Sequence, residues 1–259
     1  MERHASRATA GRVISDLAIA VVQERQKLDL QLELDRIEAG GNNVLRMNDS
    51  GYPERLKQIS SPPILLFTWG EIRPQDQVAV AIVGTRRPTK YGLAVAQEIT
   101  QYLASAGITV VSGLARGIDG AAHRGALDAG GRTLAVLGSG LNRIYPPEHS
   151  HLAEWVAESG CVLTEYLLEA DPEGRNFPAH NRIISGVSLA VVVVEAGERS
   201  GALITADFAA DQGRDVFAVP GTIHRAASKG TNRLIQSGAY PLLELGEIVE
   251  TLNLSLVVE

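Results

Sequence analysis

At 259 residues the chain can hold one large domain, or a domain with an appendage, and can bury a substantial core. Its 30 acidic residues against 24 Lys and Arg, a formal net charge of -6, exclude a global positive field that would draw it to nucleic acid or anionic membrane. The single cysteine, Cys161, excludes an intramolecular disulfide and a cysteine-rich zinc site.

In chain order, Ile14, Ala18, Val21, Leu28 and Leu32 recur at helical spacing from about Ala10 to Ala39. Leu28 to Leu34 also alternates as a strand would. Gly40-Gly41-Asn42-Asn43 breaks the pattern, and Tyr52-Pro53 and Ser61-Pro62-Pro63 mark turns before the apolar run Ile64 to Phe67. Residues 1–75 are therefore expected to form a helical appendage and a lead-in strand, with the main domain over 76–259. There the short runs Val80 to Val83, Ile108 to Val111 and Thr133 to Leu137 alternate with helix-length segments, the pattern of βαβ units in a parallel sheet. Val95, Ile99, Leu103 and Ala106 share one face of a helix that ends at Gly107. Helices are expected over 120–129 and from Tyr145-Pro146-Pro147 to about Glu158, then a strand from Cys161 to Thr164 and a long polar loop from Glu169 to Arg182. Leu189 to Val194 is apolar on both faces and belongs in the sheet centre. It leads through Ser200-Gly201-Ala202 into a helix ending at Gly213; a strand from Val216 to Val219 follows, and after Tyr240 to Leu243 a last helix.

In an open sheet of this kind the loops after the strand ends gather along one rim, where ligands bind. The turns deposit Gly84, Thr85, Arg86 and Arg87 there, then Ser112, Gly113, Arg116 and Gly117, then Gly138, Ser139 and Gly140. Flexible backbone amides, small hydroxyls and guanidinium groups suit an anion or phosphate site. Between Gln77 and Leu127 the only acids are Glu98 and Asp119, against Arg86, Arg87, Lys90, Arg116 and Arg124, so a basic surface can coexist with an acidic chain. Arginine outnumbers lysine, 20 to 4; Arg grips phosphate bidentately and stacks on bases, although a coding bias gives the same ratio.

Enzyme signatures are missing. The first turn lacks the spaced glycines of G-x-G-x-x-G, the second strand does not end in a ribose-binding acid, and neither G-x-x-x-x-G-K-[ST] nor a G-x-S-x-G elbow occurs. Ser112, Ser139, Ser185 and Ser200 read as structural serines in glycine turns. His149 and His151 sit at a helix start, pointing apart, and read as solvated surface. Asp119 reads as a helix N-cap. What remains is binding: Arg86, Arg116 and the segment Arg175-Asn176-Phe177 combine guanidinium with an aromatic face, which suits single-stranded nucleic acid. From spacing alone, Phe177 serves equally as a core anchor.

Seven ordered segments then carry a resemblance: Ile82-Val-Gly-Thr-Arg86, Ser112-Gly-Leu-Ala-Arg-Gly-Ile-Asp119, Ala135-Val-Leu-Gly-Ser-Gly-Leu141, Tyr145-Pro146, Phe177-Pro-Ala-His-Asn-Arg-Ile-Ile-Ser-Gly186, Ser200-Gly-Ala-Leu-Ile-Thr205 and Ala218-Val-Pro-Gly221. From about Tyr52 to Gly246 the chain closely resembles the bacterial DNA processing protein A (DprA, or Smf) family. That resemblance implies an extended Rossmann-like, doubly wound, mostly parallel sheet. It implies single-stranded DNA binding without catalysis or cofactor, loading of the recombinase RecA during natural transformation, and homodimers. By motif it implies Arg86, Phe177 and Arg182 as nucleic-acid contacts, joined on the rim by Arg175, Ser200 and Gly201. Many members carry a winged-helix module, and none is expected within residues 1–259. An acid-free, apolar-rich segment from Thr231 to Leu243 offers Leu234 and Ile235 for a dimer interface. No apolar run approaches membrane-spanning length and the start has no signal-peptide hydrophobic region, so a cytoplasmic location is expected. The competing class is a Rossmann-like nucleotide phosphoribohydrolase of the lysine-decarboxylase-like group, whose P-G-G-x-G-T-x-x-E signature is absent here.

Overall fold

The structure, a computed structural model, describes residues 30–174 and 176–254. Of the helix expected from Ala10, its last ten residues are described, as α1 (Leu30–Ala39); Ile14, Ala18, Val21 and Leu28 lie outside the described residues, as does Arg175. One compact unit ends at Gly41 and a second begins at Asn42.

The second unit is built on nine strands: β1 (Asn42–Arg46), β2 (Leu65–Gly70), β3 (Ala79–Val83), β4 (Thr109–Ser112), β5 (Thr133–Val136), β6 (Cys161–Thr164), β7 (Ala190–Val193), β8 (Asp215–Ala218) and β9 (Tyr240–Pro241). They form one sheet in the order β1-β2-β6-β5-β4-β3-β7-β8-β9. From β6 to β9 every pair is parallel, while β2 is antiparallel to both β1 and β6. Strands β3 to β7 are buried along their whole length, which is why they read as continuous apolar runs. This is the expected α/β, doubly wound, mostly parallel fold.

Helices cover both faces. On one side α2 (Glu54–Lys57), α6 (Asn176–Val187) and α7 (Gly201–Asp211) bury Leu56, Ile183, Ile184, Val187, Ala202, Ala206 and Ala209 against Ala81, Val111 and Val191. On the other, α3 (Lys90–Ser105), α4 (Ile118–Asp128) and α9 (Gly246–Thr251) bury Ile99, Leu103, Ile118, Ala122, Ile248 and Val249 against Val80, Ile82, Val110 and Val192. Helix α5 (Ser150–Ser159) packs beside them on β5 and β6, and α8 (Lys229–Gln236) sits under β8. Helix α3 ends as its Gly107 suggested: the Gly107 and Ile108 N–H groups return to Ala104 and Leu103, with Gly107 at φ 74°. This capping pattern uses a left-handed glycine to satisfy the last carbonyls.

Two segments differ from expectation. Asn42 and Asn43, read as the end of a break that began at Gly40, open strand β1, because pairing along β2 from Asn42↔Trp69 to Arg46↔Leu65 outweighs the weak strand preference of the two asparagines. The expected polar loop from Glu169 to Arg182 is helical from Asn176 onward. Pro178 conceals this helix without preventing it, since a first-turn proline lacks an N–H that would have no intrahelical partner anyway.

Candidate functional site

From β3 the chain steps outward through β4, β5 and β6, then returns to β7 on the other side of β3. The loops after β3 and β7 therefore diverge, opening a crevice at the carboxyl ends of the strands. A cleft of about 880 Å³ lies there, lined by the turn after β3, the loop before α7 and the first two turns of α6.

Glu195, following β7, holds the two loops together. Its carbonyl accepts the Thr85 N–H at 2.7 Å, and its carboxylate accepts the Thr89 N–H at 2.8 Å and the Thr89 hydroxyl at 2.6 Å. Thr89 is the N-cap of α3, accepting from the Gly92 N–H, so the buried carboxylate also faces the positive end of that helix. Gly92 makes this approach possible, because a Cβ there would occupy the position of the Glu195 carboxylate.

On this frame a row of cations and rings crosses the rim. The Arg86 guanidinium lies over the half-buried Phe177 ring, 5.1 Å from its centroid. Phe177 meets Tyr145 at 5.6 Å and His180 at 5.8 Å, and Arg116 covers Tyr145 at 5.8 Å. Arg86, Arg87 and Arg199 are exposed, and Arg86 makes no ion pair among the described residues. Arg116 is held by Glu148, Nε to Oε1 at 2.5 Å and Nη2 to Oε2 at 3.0 Å, which pulls the Glu148 carboxyl below its usual range.

Of the expected site residues, Gly84, Thr85, Arg86, Arg87, Phe177, Ser200 and Gly201 line the cleft. Ser112, Gly113, Arg116, Gly117, Gly138, Ser139 and Gly140 do not line it. Ser112 is buried and donates to the Ile82 carbonyl at 2.6 Å; Ser139 donates to the Arg143 carbonyl at 2.7 Å. Gly117 has φ 82°, and a Cβ there would strike the Thr85 carbonyl. Gly113 and Gly138 pack closely on His180, and Gly140 on the Leu167 and Leu168 carbonyls. Arg182, expected as a nucleic-acid contact, is turned elsewhere: its guanidinium grips both Glu165 oxygens at 2.6 and 2.7 Å and donates to the Ser61 and Ala179 carbonyls.

Two readings of the titratable groups are corrected. Asp119 is not an N-cap, a position taken by Gly117; its buried carboxylate accepts the Gly113 N–H at 3.2 Å instead. Burial raises the Asp119 pKa to about 6, against the lowering effects of the Ala115, Gly113 and Gly84 amides and of Arg86. His149 is buried and bonds the Leu114 carbonyl at 2.8 Å, because the short 3-10 turn Pro147–His149 folds it inward; His151 is the solvated one. Burial lowers His180 to about 4, so it is neutral at ordinary pH.

Sequence reasoning missed Asp119, Tyr145, His180, Asn181 and Arg199 as cleft residues. A helical spacing joined Phe177 to His180, Asn181 and Ile184, but the proline-containing run read as a loop. With exposed guanidinium groups beside an aromatic face, and its acid buried, the cleft is suited to phosphate together with a planar base. Among the described residues no group of three or more His, Cys, Asp or Glu is placed to hold a metal, and no helix is long and apolar enough to cross a membrane.

Residues 43–253 match the family model of DNA recombination-mediator protein A. The chain is 42% identical over 237 residues to Protein Smf of Synechocystis, covering 90% of this chain and 60% of the relative. It is 42% identical over 213 residues to the DNA processing protein DprA of Bacillus subtilis, covering 82% and 72%. The chain thus spans about 60% of the length of the Synechocystis relative. Among solved structures, DprA from Streptococcus pneumoniae superposes with a TM-score of 0.79 at 38% identity, covering 90% of this chain and 81% of that one. DprA from Helicobacter pylori, described for its single-stranded DNA binding mode, superposes with a TM-score of 0.74 at 29% identity, covering 82% and 95%.

Proposed function

Since the chain belongs to the DNA recombination-mediator protein A family, we propose that it binds single-stranded DNA in the cleft at the carboxyl ends of β3 and β7. The observation that carries this reading is the row Arg86, Phe177, Tyr145, Arg116, in which two neighbouring rings are flanked by two cations. Arg86, Arg87 and Arg199 meet phosphates, the exposed side of Phe177 stacks on a base, and the small residues Gly84, Thr85, Ser200 and Gly201 line the floor along which the strand runs. That the Helicobacter relative is described for a single-stranded DNA binding mode supports the class of ligand.

The bound strand is protected and handed to the recombinase RecA during natural transformation, in the cytoplasm, without chemical turnover. The family's description as a recombination mediator supports this larger role. The protein acts as a homodimer through the segment that includes Leu234 and Ile235. Exposed Tyr240 and Leu243 beside half-buried Ile235 support that interface.

Fluorescence anisotropy with labelled oligothymidine, across a range of salt, tests the cleft. Arg86→Ala should weaken binding and reduce the log–log salt slope by about 0.7, the loss of one single-strand phosphate contact. Phe177→Ala should cost ~1–3 kcal/mol of affinity, one base stack. Unchanged affinity and slope in folded variants would exclude this cleft. A parallel assay of base release from nucleoside monophosphates, if positive, would favour the phosphoribohydrolase class.

A further inference from the structure

The turns after β3 and β4 present the kind of backbone amides that hold a phosphate, but that position is already filled. Asp119, in the first turn of α4, is only 8% exposed, and its Oδ2 accepts the Gly113 N–H at 3.2 Å. The backbone amides of Ala115 and Gly84 favour the ionised form of the same carboxylate, against its burial. One amide bonded to it, two more that favour its charge and its place in the first turn of a helix together hold one anion that belongs to the chain itself. Beside it lies His180, 5% exposed, which turns Nε2 toward Gly113 while its Nδ1, on the Gly138 side, has no hydrogen-bond partner. The inner wall therefore meets an incoming anion with a carboxylate and a neutral ring, while its free cations, Arg86, Arg87 and Arg199, stand at the rim.

We propose that Asp119 is a specificity-determining residue: its carboxylate occupies the amide nest of the cleft, so that phosphomonoesters and inorganic phosphate are refused and a DNA strand is left only the outer arginines. The second half rests on the single-strand reading given above; the refusal of free phosphate does not. A second anion about 4 Å from the carboxylate would bind on the order of a thousandfold more weakly than in an empty nest, from Coulomb repulsion at an effective dielectric of 20. A phosphodiester held at the rim escapes that repulsion by distance and by the intervening Arg86.

The test is thermal melting and calorimetry of wild type, Asp119→Ala and Asp119→Asn with inorganic phosphate and with adenosine monophosphate, at constant ionic strength. Wild type should show no shift. Asp119→Ala should be stabilised, its folding equilibrium rising about elevenfold at ten times the dissociation constant. Asp119→Asn, which fills the nest without charge, should bind phosphate less well than Asp119→Ala. If Asp119→Ala folds poorly, phosphate should restore its folding where chloride does not. Wild-type protein that binds phosphate as tightly as Asp119→Ala overturns the proposal, as does an alanine variant that phosphate neither binds nor rescues. Oligothymidine binding by wild type and Arg86→Ala is read separately, so failure of the single-strand reading leaves the phosphate result interpretable.

Discussion

Three buried titratable side chains, His123, His180 and Asp119, set how this fold responds to acid. Burial lowers His123 to about 3, with His149 and Arg124 adding to the effect, and lowers His180 to about 4, with Arg86 and Arg182 adding. Both values lie below the ordinary 6.5, so as pH falls below that value the unfolded chain takes up protons that the folded chain refuses. Each histidine therefore withdraws stability on acidification. Asp119 works in the opposite sense: its pKa is raised from 3.8 to about 6, so between these values the folded state takes the proton and is favoured. Two displaced histidines outweigh one displaced carboxyl, and the melting temperature should fall between about pH 6.5 and pH 4.5. His123→Phe should flatten that acid limb in a melting series, and an unchanged slope would show that His123 takes no part in it.

At the scale of elements, the cleft depends on how β3 and β7 deliver their loops. Glu195 ties the end of β7 to the cap of α3 through Thr89. Glu195→Ala leaves the Thr89 N–H without its acceptor in a part-buried place, a loss of ~1–3 kcal/mol of folding stability. Because Arg86 lies on the tethered turn, oligothymidine binding should weaken more than in Glu195→Gln, which keeps an acceptor. Urea denaturation and anisotropy on the same samples check both effects; an alanine variant as stable as wild type would show that the tie contributes nothing. The row of rings is likewise a product of element placement, since Tyr145 comes from the segment after β5 and Phe177 from the first turn of α6.

At the scale of the whole molecule, the surface around β9 carries apolar side chains out of proportion to a solvated edge. Leu243 is 70% exposed and Tyr240 is 48% exposed, and Ile235 on α8 is half-buried, whereas Leu234 packs against the core. In the proposed homodimer Ile235 is therefore the better probe, because a charge at Leu234 would disturb the core as well. Ile235→Glu should give a folded monomer, buried charge being costly at an interface. Two linked clefts raise the effective concentration of the second site once a strand has engaged the first. The variant should then bind short oligonucleotides normally and lose the advantage of long ones. Light scattering with circular dichroism decides: a variant that stays dimeric excludes this surface, and one that unfolds assigns Ile235 to the core.

The parallel sheet was legible in the sequence because strands buried on both faces leave unbroken β-branched runs, and helix ends were legible where a glycine such as Gly107 supplies the left-handed turn. The switch-point turn Gly84 to Arg87 was legible for the same reason: a strand end, small residues and arginines with few acids near them in sequence are all local features. The partners of side chains were not legible. Phe177 and Arg182 share one motif, yet five residues along a helix turn them roughly 140° apart, so that Phe177 faces the cleft and Arg182 faces Glu165. Asp119 looked like a cap because it stands at a helix start. Only the packing of the loop after β4 around it shows that the Gly113 amide is spent on its carboxylate, since such a contact leaves no trace in the spacing of the segment.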